Sequence, residues 1–337
     1  MEFTGAHILS IDQFERKDIE RIFEVADQMR PYALRKKVTR VLEGAILGNM
    51  FFEPSTRTRV SFGSAFNLLG GNVRETAGIE VSALAKGESL YDTARVISGY
   101  SDVICMRHPV EGSVAEFASA SRVPVINGGD GANEHPSQAL LDLYTIAKEL
   151  AAQNRTIDGL RIAMIGDLKF GRTVHSLCSL LPLFKNIQVT LVSPNELAMP
   201  DYLVEKLRAA GHEVVISEEL NNSISHVDIA YSTRIQEERF PSKEEAGLYR
   251  GKFRLNQATY TEFCEPNTVI MHPLPRDSRA EANELDSDLN QNPNLAIFRQ
   301  TDNGVLVRMA LFALTLNVVH LVEKHSRPVT WHHSRNE

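Results

Sequence analysis

Cations and hydroxyls recur along the chain in short clusters, each beside a proline, a glycine or an apolar run. Ser55-Thr56-Arg57-Thr58-Arg59 follows one such run and opens a stretch of helical pattern. Hydroxyls, a guanidinium and the free backbone N–H groups of a helix start form a receptor for a phosphate dianion. The same residues also read as an ordinary serine N-cap with solvated arginines, and this segment alone leaves both readings open. Further clusters are Arg107-His108-Pro109, His135-Pro136-Ser137-Gln138, Lys169-Phe170-Gly171-Arg172, Thr233-Arg234-Ile235-Gln236 and His272-Pro273-Leu274-Pro275-Arg276. Each follows an expected strand, where open α/β sheets bind ligands. Any one of Arg57, Arg107, Arg172 and Arg234 reads alone as a surface residue. Collected at such positions in an acidic protein, they point to a small, highly anionic substrate.

Other chemistries find less support. Gly166 and Gly171 do not make GxGxxG, since Leu168 stands two residues past Gly166; a nicotinamide oxidoreductase therefore lacks its fingerprint. There is no GxxxxGK[ST] motif, and Ser55 has no nucleophile elbow around it. The widely spaced Cys105, Cys178 and Cys264 form no CxxC or Cys/His cluster and read as buried thiols. His332 and His333 lie in a polar tail after Pro328 that is expected to fray. No covalent nucleophile, metal or cofactor is indicated. Catalysis then falls to positioning and charge stabilisation.

Alternating strands and helices must position these clusters. Residues 18–29 place Ile19, Ile22, Phe23, Ala26 and Met29 on one helical face. Residues 45–52, 103–106 and 123–127 read as strands, with helices carrying Phe62, Ala65, Phe66 and Leu69, then 114–120, then Leu140, Leu141 and Tyr144. After a polar joint at 153–159, strands are expected at 162–165, 188–192, 214–216, 229–232 and 268–271, and helices at 172–184 and 201–210. The charged stretch 236–265 lacks a period and is expected to be exposed and mobile. A closing helix is expected over 303–324. The pattern is α/β, with two doubly wound, mostly parallel sheets.

The length of 337 residues suits about two domains. Apolar content of 43% and charged content of 23% fit a globular protein and exclude disorder and fibre repeats. A net charge of −7 argues against a broad nucleic-acid or anionic-membrane footprint. The most apolar stretch, 305–322, contains Arg308, Asn317 and His320 and reads as a core helix rather than a membrane span. The first residues lack the basic and apolar regions of a secretory signal, so a cytoplasmic protein is expected.

Taken in order, the STRTR, RHP, HPSQ and HPLPR clusters closely resemble the carbamoyltransferases, over about residues 5–325. HPLPR, with Lys169-Phe170-Gly171-Arg172 and Thr233-Arg234-Ile235-Gln236, resembles the catalytic chains of the aspartate branch; ornithine enzymes carry a cysteine where Pro273 stands. The resemblance implies a carbamoyl phosphate-binding domain over 1–152 and an aspartate-binding domain over 153–302. A C-terminal helix over 303–325 returns to the first domain, followed by a tail, 326–337. It implies transfer of the carbamoyl group from carbamoyl phosphate to L-aspartate, an early step of pyrimidine biosynthesis.

Site roles follow from the same resemblance. Ser55, Thr56, Arg57 and Thr58 hold the phosphate. Thr58, Arg107 and His135 surround the carbamoyl oxygen. Gln138 and the carbonyls of Pro273 and Leu274 face the carbamoyl NH₂ and the attacking amine. Arg172, Arg234 and Gln236 grip the aspartate carboxylates. Ser82 and Lys86 lie on a loop that enters a neighbouring subunit's site, so the active unit is a homotrimer; in some relatives zinc-bearing regulatory chains join it. Phe170, Ala85 and Glu237 depart from common family residues, and Glu237, where a lysine is usual, puts a loop-closing ion pair in question. The competing readings are a carbamoyltransferase for another amine such as ornithine, and a catalytically silent subunit.

Overall fold

Unbroken apolar runs become the interior strands of parallel sheets, because a strand covered by helices on both sides has no polar face. The computed structural model describes residues 1–78, 83–131 and 133–331. It divides into two units, Met1–Leu140 with Asp302–Glu337, and Leu141–Thr301. The division falls inside the helix Pro136–Ala152, ahead of the polar run 153–159.

In unit 1, β1 (Lys37–Thr39), β2 (Ile46–Phe51), β3 (Asn72–Ala77), β4 (Val103–His108) and β5 (Val125–Asp130) alternate with helices. These are α1 (Arg16–Ala33), α2 (Thr56–Leu68), α3 (Leu90–Ile97) and α4 (Ser113–Ala120). The parallel sheet has the order β3-β2-β4-β5. β4 and β5 are buried throughout, whereas the edge strand β3 is largely exposed. On α1 it is Val25 that joins Ile19, Ile22, Ala26 and Met29 in the core; Phe23 is only half-buried.

α5 (Pro136–Ala152) leads into unit 2, where β6 (Arg161–Ile165), β7 (Gln188–Val192), β8 (Glu213–Ser217), β9 (Ile229–Ser232) and β10 (Val269–Met271) form a parallel sheet of order β10-β9-β6-β7-β8. Its helices are α6 (Arg172–Leu180), α7 (Asp201–Ala209), α8 (Leu220–Ser223), α9 (Lys243–Gly247) and α10 (Gln257–Phe263). The segment 236–265 is thus structured: Ala246, Leu255 and Tyr260 are buried, and the last two belong to the unit's apolar core.

The closing helix, α11, runs over Ile297–Thr315 rather than 303–324. Asn317, at φ +54, stops it, and Val318 N–H caps the Ala313 carbonyl at 2.8 Å. In unit 1, Phe312 packs edge-on against Phe62 and Phe66 of α2 at 5.9 and 5.0 Å. This seats the C-terminal helix on the first unit. β11 (Ser326–Pro328) pairs antiparallel with β1. Among the described residues no helix is long and apolar enough to cross a membrane.

Both sheets have a point where the winding reverses. In unit 1 the chain leaves β2 for β3 on one side and returns to β4 on the other. In unit 2 it runs from β6 out to β8, then returns to β9 on the opposite side of β6. The carboxyl ends of β2 and β4, and of β6 and β9, therefore border the crevices where such sheets take ligands.

Candidate active site

At the β2 end, Ser55 occupies the N-cap of α2 with extended backbone, yet its side chain makes no capping hydrogen bond. The first turn holds no acidic residue. The helix start keeps its dipole and N–H groups directed at whatever lies before it. Thr56 and Arg57 are exposed, Ser55 is half-buried, and Thr58 is buried. Ser55 thus stands at the N-cap position without the side-chain bond of an ordinary cap.

At the β4 end, Arg107 is buried, and its Nε donates to Glu53 Oε2 at 2.8 Å. Its carbonyl accepts Phe52 N–H at 2.9 Å, extending the ladder past β2. The pairing of β4 with β5 shifts register between Met106 and His108, which face Asn127 and Asp130. The extra residue is on β5, where Gly129 at φ +118 supplies the bulge, so Gly128 and Gly129 continue the strand that was expected to end at Asn127. Asp130 then laces the following loop. It accepts from Glu134 N–H at 3.2 Å, Gly112 N–H at 3.0 Å, and the Asn127 and Asn133 amides at 3.1 Å each. That loop delivers His135, 3% exposed, to the start of α5, with Pro136 as its first helical residue. His135 Nδ1 lies 3.5 Å from Ser137 Oγ, and its carbonyl accepts Gln138 N–H at 2.9 Å. Lys86, exposed, closes the turn Ala83–Lys86; Ser82 lies outside the described residues.

The unit 2 crevice is organised by a carboxylate that the sequence reading did not single out. Asp167 is fully buried; its oxygens accept Phe170 N–H at 2.9 Å and Gln236 N–H at 3.1 Å. Burial pushes its carboxyl up, while those backbone donors and Arg234 oppose the rise. Asp167 thus ties the loop after β6 to the loop after β9. Arg172 is buried at the start of α6, and Arg234 Nη1 donates to the Ile235 carbonyl at 3.1 Å. Gln236 Nε2 donates to the Phe170 carbonyl at 2.7 Å. Phe170 meets Phe240 edge-on at 5.4 Å, and Phe240 meets Tyr249 at 5.9 Å.

Glu237 takes two arginines. Arg250 Nε and Arg279 Nη2 each reach its Oε1 at 2.7 Å. The Arg250 hydrogen bonds, reinforced by Arg279, hold its carboxyl down at about 2. Glu237 is therefore held by ion pairs to Arg250 and Arg279 within unit 2. Pro273 and Leu274 follow β10 on a turn with a cis Leu274–Pro275 bond and Leu274 at φ +57, a conformation costing roughly 1–2 kcal/mol for an L-residue. Cys105 and Cys178 are buried and Cys264 partly so. Burial pushes the thiols of Cys178 and Cys264 up to about 12 and that of Cys105 higher, so none is a nucleophile near neutrality.

Unit 1 thus carries the hydroxyls and Arg57 after β2, Arg107 at the end of β4 and His135 after β5, and unit 2 carries Arg172 after β6 and Arg234 and Gln236 after β9. Two family models divide the chain along similar lines. Residues 6–148 match the carbamoyl-P binding domain of aspartate/ornithine carbamoyltransferases, and residues 158–315 match their Asp/Orn binding domain. The chain belongs to the aspartate/ornithine carbamoyltransferase family. Within this family it is 80% identical, over 99% of both chains, to the aspartate carbamoyltransferase catalytic subunit of Saccharophagus degradans. The catalytic subunit of the Methanocaldococcus jannaschii aspartate transcarbamoylase superposes with a TM-score of 0.83 at 41% identity, covering 96% of this chain and 99% of that one. The Trypanosoma cruzi aspartate transcarbamoylase bound to carbamoyl phosphate gives 0.85 at 37% identity, over 93% and 97%.

Proposed function

We infer that the chain transfers the carbamoyl group from carbamoyl phosphate to the amine of L-aspartate, giving N-carbamoyl-L-aspartate and phosphate. The observation that carries this reading is the placement of buried and N-terminal cations at the winding reversals of both sheets. Family membership and the Trypanosoma cruzi enzyme, solved with carbamoyl aspartate and phosphate, support the same chemistry. Pro273, in place of the cysteine of ornithine enzymes, and Arg234 with Gln236 for a second carboxylate favour aspartate.

In this reading Ser55, Thr56, Arg57 and Thr58 bind the phosphate at the start of α2. The uncharged aspartate amine attacks the carbonyl carbon, and the C=O electron pair moves onto oxygen. Thr58, Arg107 and His135 stabilise that oxyanion. The intermediate collapses by breaking the bond to the phosphate oxygen, which departs with the electron pair, and the proton lost by the attacking amine passes to the departing phosphate. Gln138 and the Pro273 and Leu274 carbonyls orient the carbamoyl nitrogen and the amine. Arg172, Arg234 and Gln236 bind the aspartate carboxylates. Ser82 and Lys86 complete a neighbouring subunit's site, making a homotrimer the active unit. The three free thiols suit a reducing cytoplasm, and the product suits an early step in pyrimidine assembly.

Arg57→Ala tests the phosphate assignment. Arg57 is exposed, so the fold should survive. Turnover should fall by about 10²–10³, the usual cost of one charge-stabilising donor. A folded variant with wild-type turnover would remove Arg57 from the site.

A further inference from the structure

One buried polar chain that the reading above leaves without a role ends at the turn carrying Pro273 and Leu274. Asp142, fully buried on α5, accepts the Tyr231 hydroxyl at 2.7 Å and Gln300 Nε2 at 2.6 Å. Gln300 Oε1 accepts the His272 backbone N–H at 3.0 Å. The His272 ring, 1% exposed, accepts the Leu274 backbone N–H on Nδ1 at 2.8 Å. A ring nitrogen that accepts carries no proton, so the proton of the neutral imidazole sits on Nε2. Nε2 lies 2.8 Å from Glu284 Oε1, near in distance though bent from ideal hydrogen-bond alignment. Glu284, itself buried, also accepts Asp277 N–H at 3.1 and 3.3 Å.

We propose that His272, kept in its Nε2–H tautomer by Glu284, is a positioning residue that locks the Pro273–Leu274 turn for carbamoyl transfer. The proposal rests on the function inferred above, in which these two carbonyls meet the carbamoyl nitrogen and the attacking amine. Leu274 sits at φ +57, a conformation its own side chain disfavours. The bond to Nδ1 holds it there. In the other tautomer Nδ1–H would face the Leu274 N–H, donor against donor, and the turn would relax. Burial opposes protonation of the ring more strongly than Glu284 favours it, which keeps Nδ1 an acceptor.

Two isosteric pairs test this in the full chain. His272→Asn places an amide oxygen where Nδ1 stood and keeps the acceptor; His272→Gln places its amide at the Nε2 position and loses it. Glu284→Gln keeps an acceptor for Nε2–H, and Glu284→Leu removes it. Thermal unfolding confirms folding, and steady-state kinetics with carbamoyl phosphate and aspartate give kcat and KM. His272→Gln and Glu284→Leu should lose about 10- to 100-fold in kcat, as expected for misplacement near the reacting atoms. His272→Asn and Glu284→Gln should stay within about threefold, and the KM for aspartate should change little in all four. A purely structural role would instead lower stability and leave kcat per folded site unchanged. Equal kcat within each folded pair, with an active wild type, overturns the positioning role alone. If one pair fails to fold, the other decides. A wild type that does not carbamoylate aspartate overturns the function inferred above and this proposal with it.

Discussion

Gly166→Ala perturbs the junction between β6 and β9 at a single atom. Gly166 has φ +112, and a Cβ there would lie 2.3 Å from the Thr233 carbonyl oxygen. The backbone conformation alone costs an L-residue roughly 1–2 kcal/mol. An unstrained carbon–oxygen contact is near 3.3 Å, so Thr233 must retreat by about 1 Å; overpacking of this kind costs about 1–3 kcal/mol. The sum is about 2–5 kcal/mol, a large share of an ordinary domain's stability but short of all of it. Thr233 N–H bonds to Ile165 at 2.8 Å, and Gln236 N–H bonds to Asp167 at 3.1 Å. The displacement therefore passes directly to Arg234 and Gln236. Urea unfolding should show a lowered midpoint. Steady-state assays should show kcat/KM for aspartate reduced by about 10- to 100-fold, with half-saturation by carbamoyl phosphate, assigned above to the start of α2, nearly unchanged. A wild-type midpoint together with a wild-type aspartate KM would refute the reasoning.

Lys86→Ala and His135→Ala chains should each be nearly inactive, and verified mixtures should regain part of the activity, because some sites then draw each residue from a different chain; no recovery would leave the shared site without support. Glu237→Gln should speed proteolysis within 237–250 by loosening Arg250 and Arg279. Because the folded Glu237 carboxyl is held at about 2, below its ordinary 4.5, its stabilisation is complete above about pH 4.5 and fades as pH falls toward 2. The difference in unfolding midpoint between wild type and Glu237→Gln should hold steady at pH 5–8 and close in acid; a gap that persists at pH 2 would exclude the ion pair as its cause.

The interior strands were legible because burial on both faces favours apolar runs, as in Val103–Met106 of β4 and Ile229–Tyr231 of β9. The exposed edge strand β3, Asn72–Ala77, carries polar residues at most positions and gave no such signal. The cationic clusters were legible because their types are unusual at strand ends. The carboxylates that arrange them were not. Asp167 and Glu284 look like surface residues in sequence, and only their burial shows them gathering backbone donors. Glu53, two residues past β2 and beside a basic cluster, offered a hint of its bond to Arg107. The stretch 236–265 read as exposed and mobile because the charges of Glu237 and Arg250 pair with each other, while Leu255 and Tyr260, which anchor it, are too far apart to show a period.

The central claim meets its most direct test in a competition assay. Purified chain, carbamoyl phosphate and equal concentrations of L-aspartate and L-ornithine are incubated, and the ureido products are resolved by mass. A site built to bond a second carboxylate rejects an amine lacking it strongly, so N-carbamoyl-L-aspartate should exceed carbamoyl-ornithine by about 100-fold or more, with phosphate released in equal amount. Predominance of the ornithine product, or carbamoyl phosphate left unconsumed by the folded protein, would contradict the account.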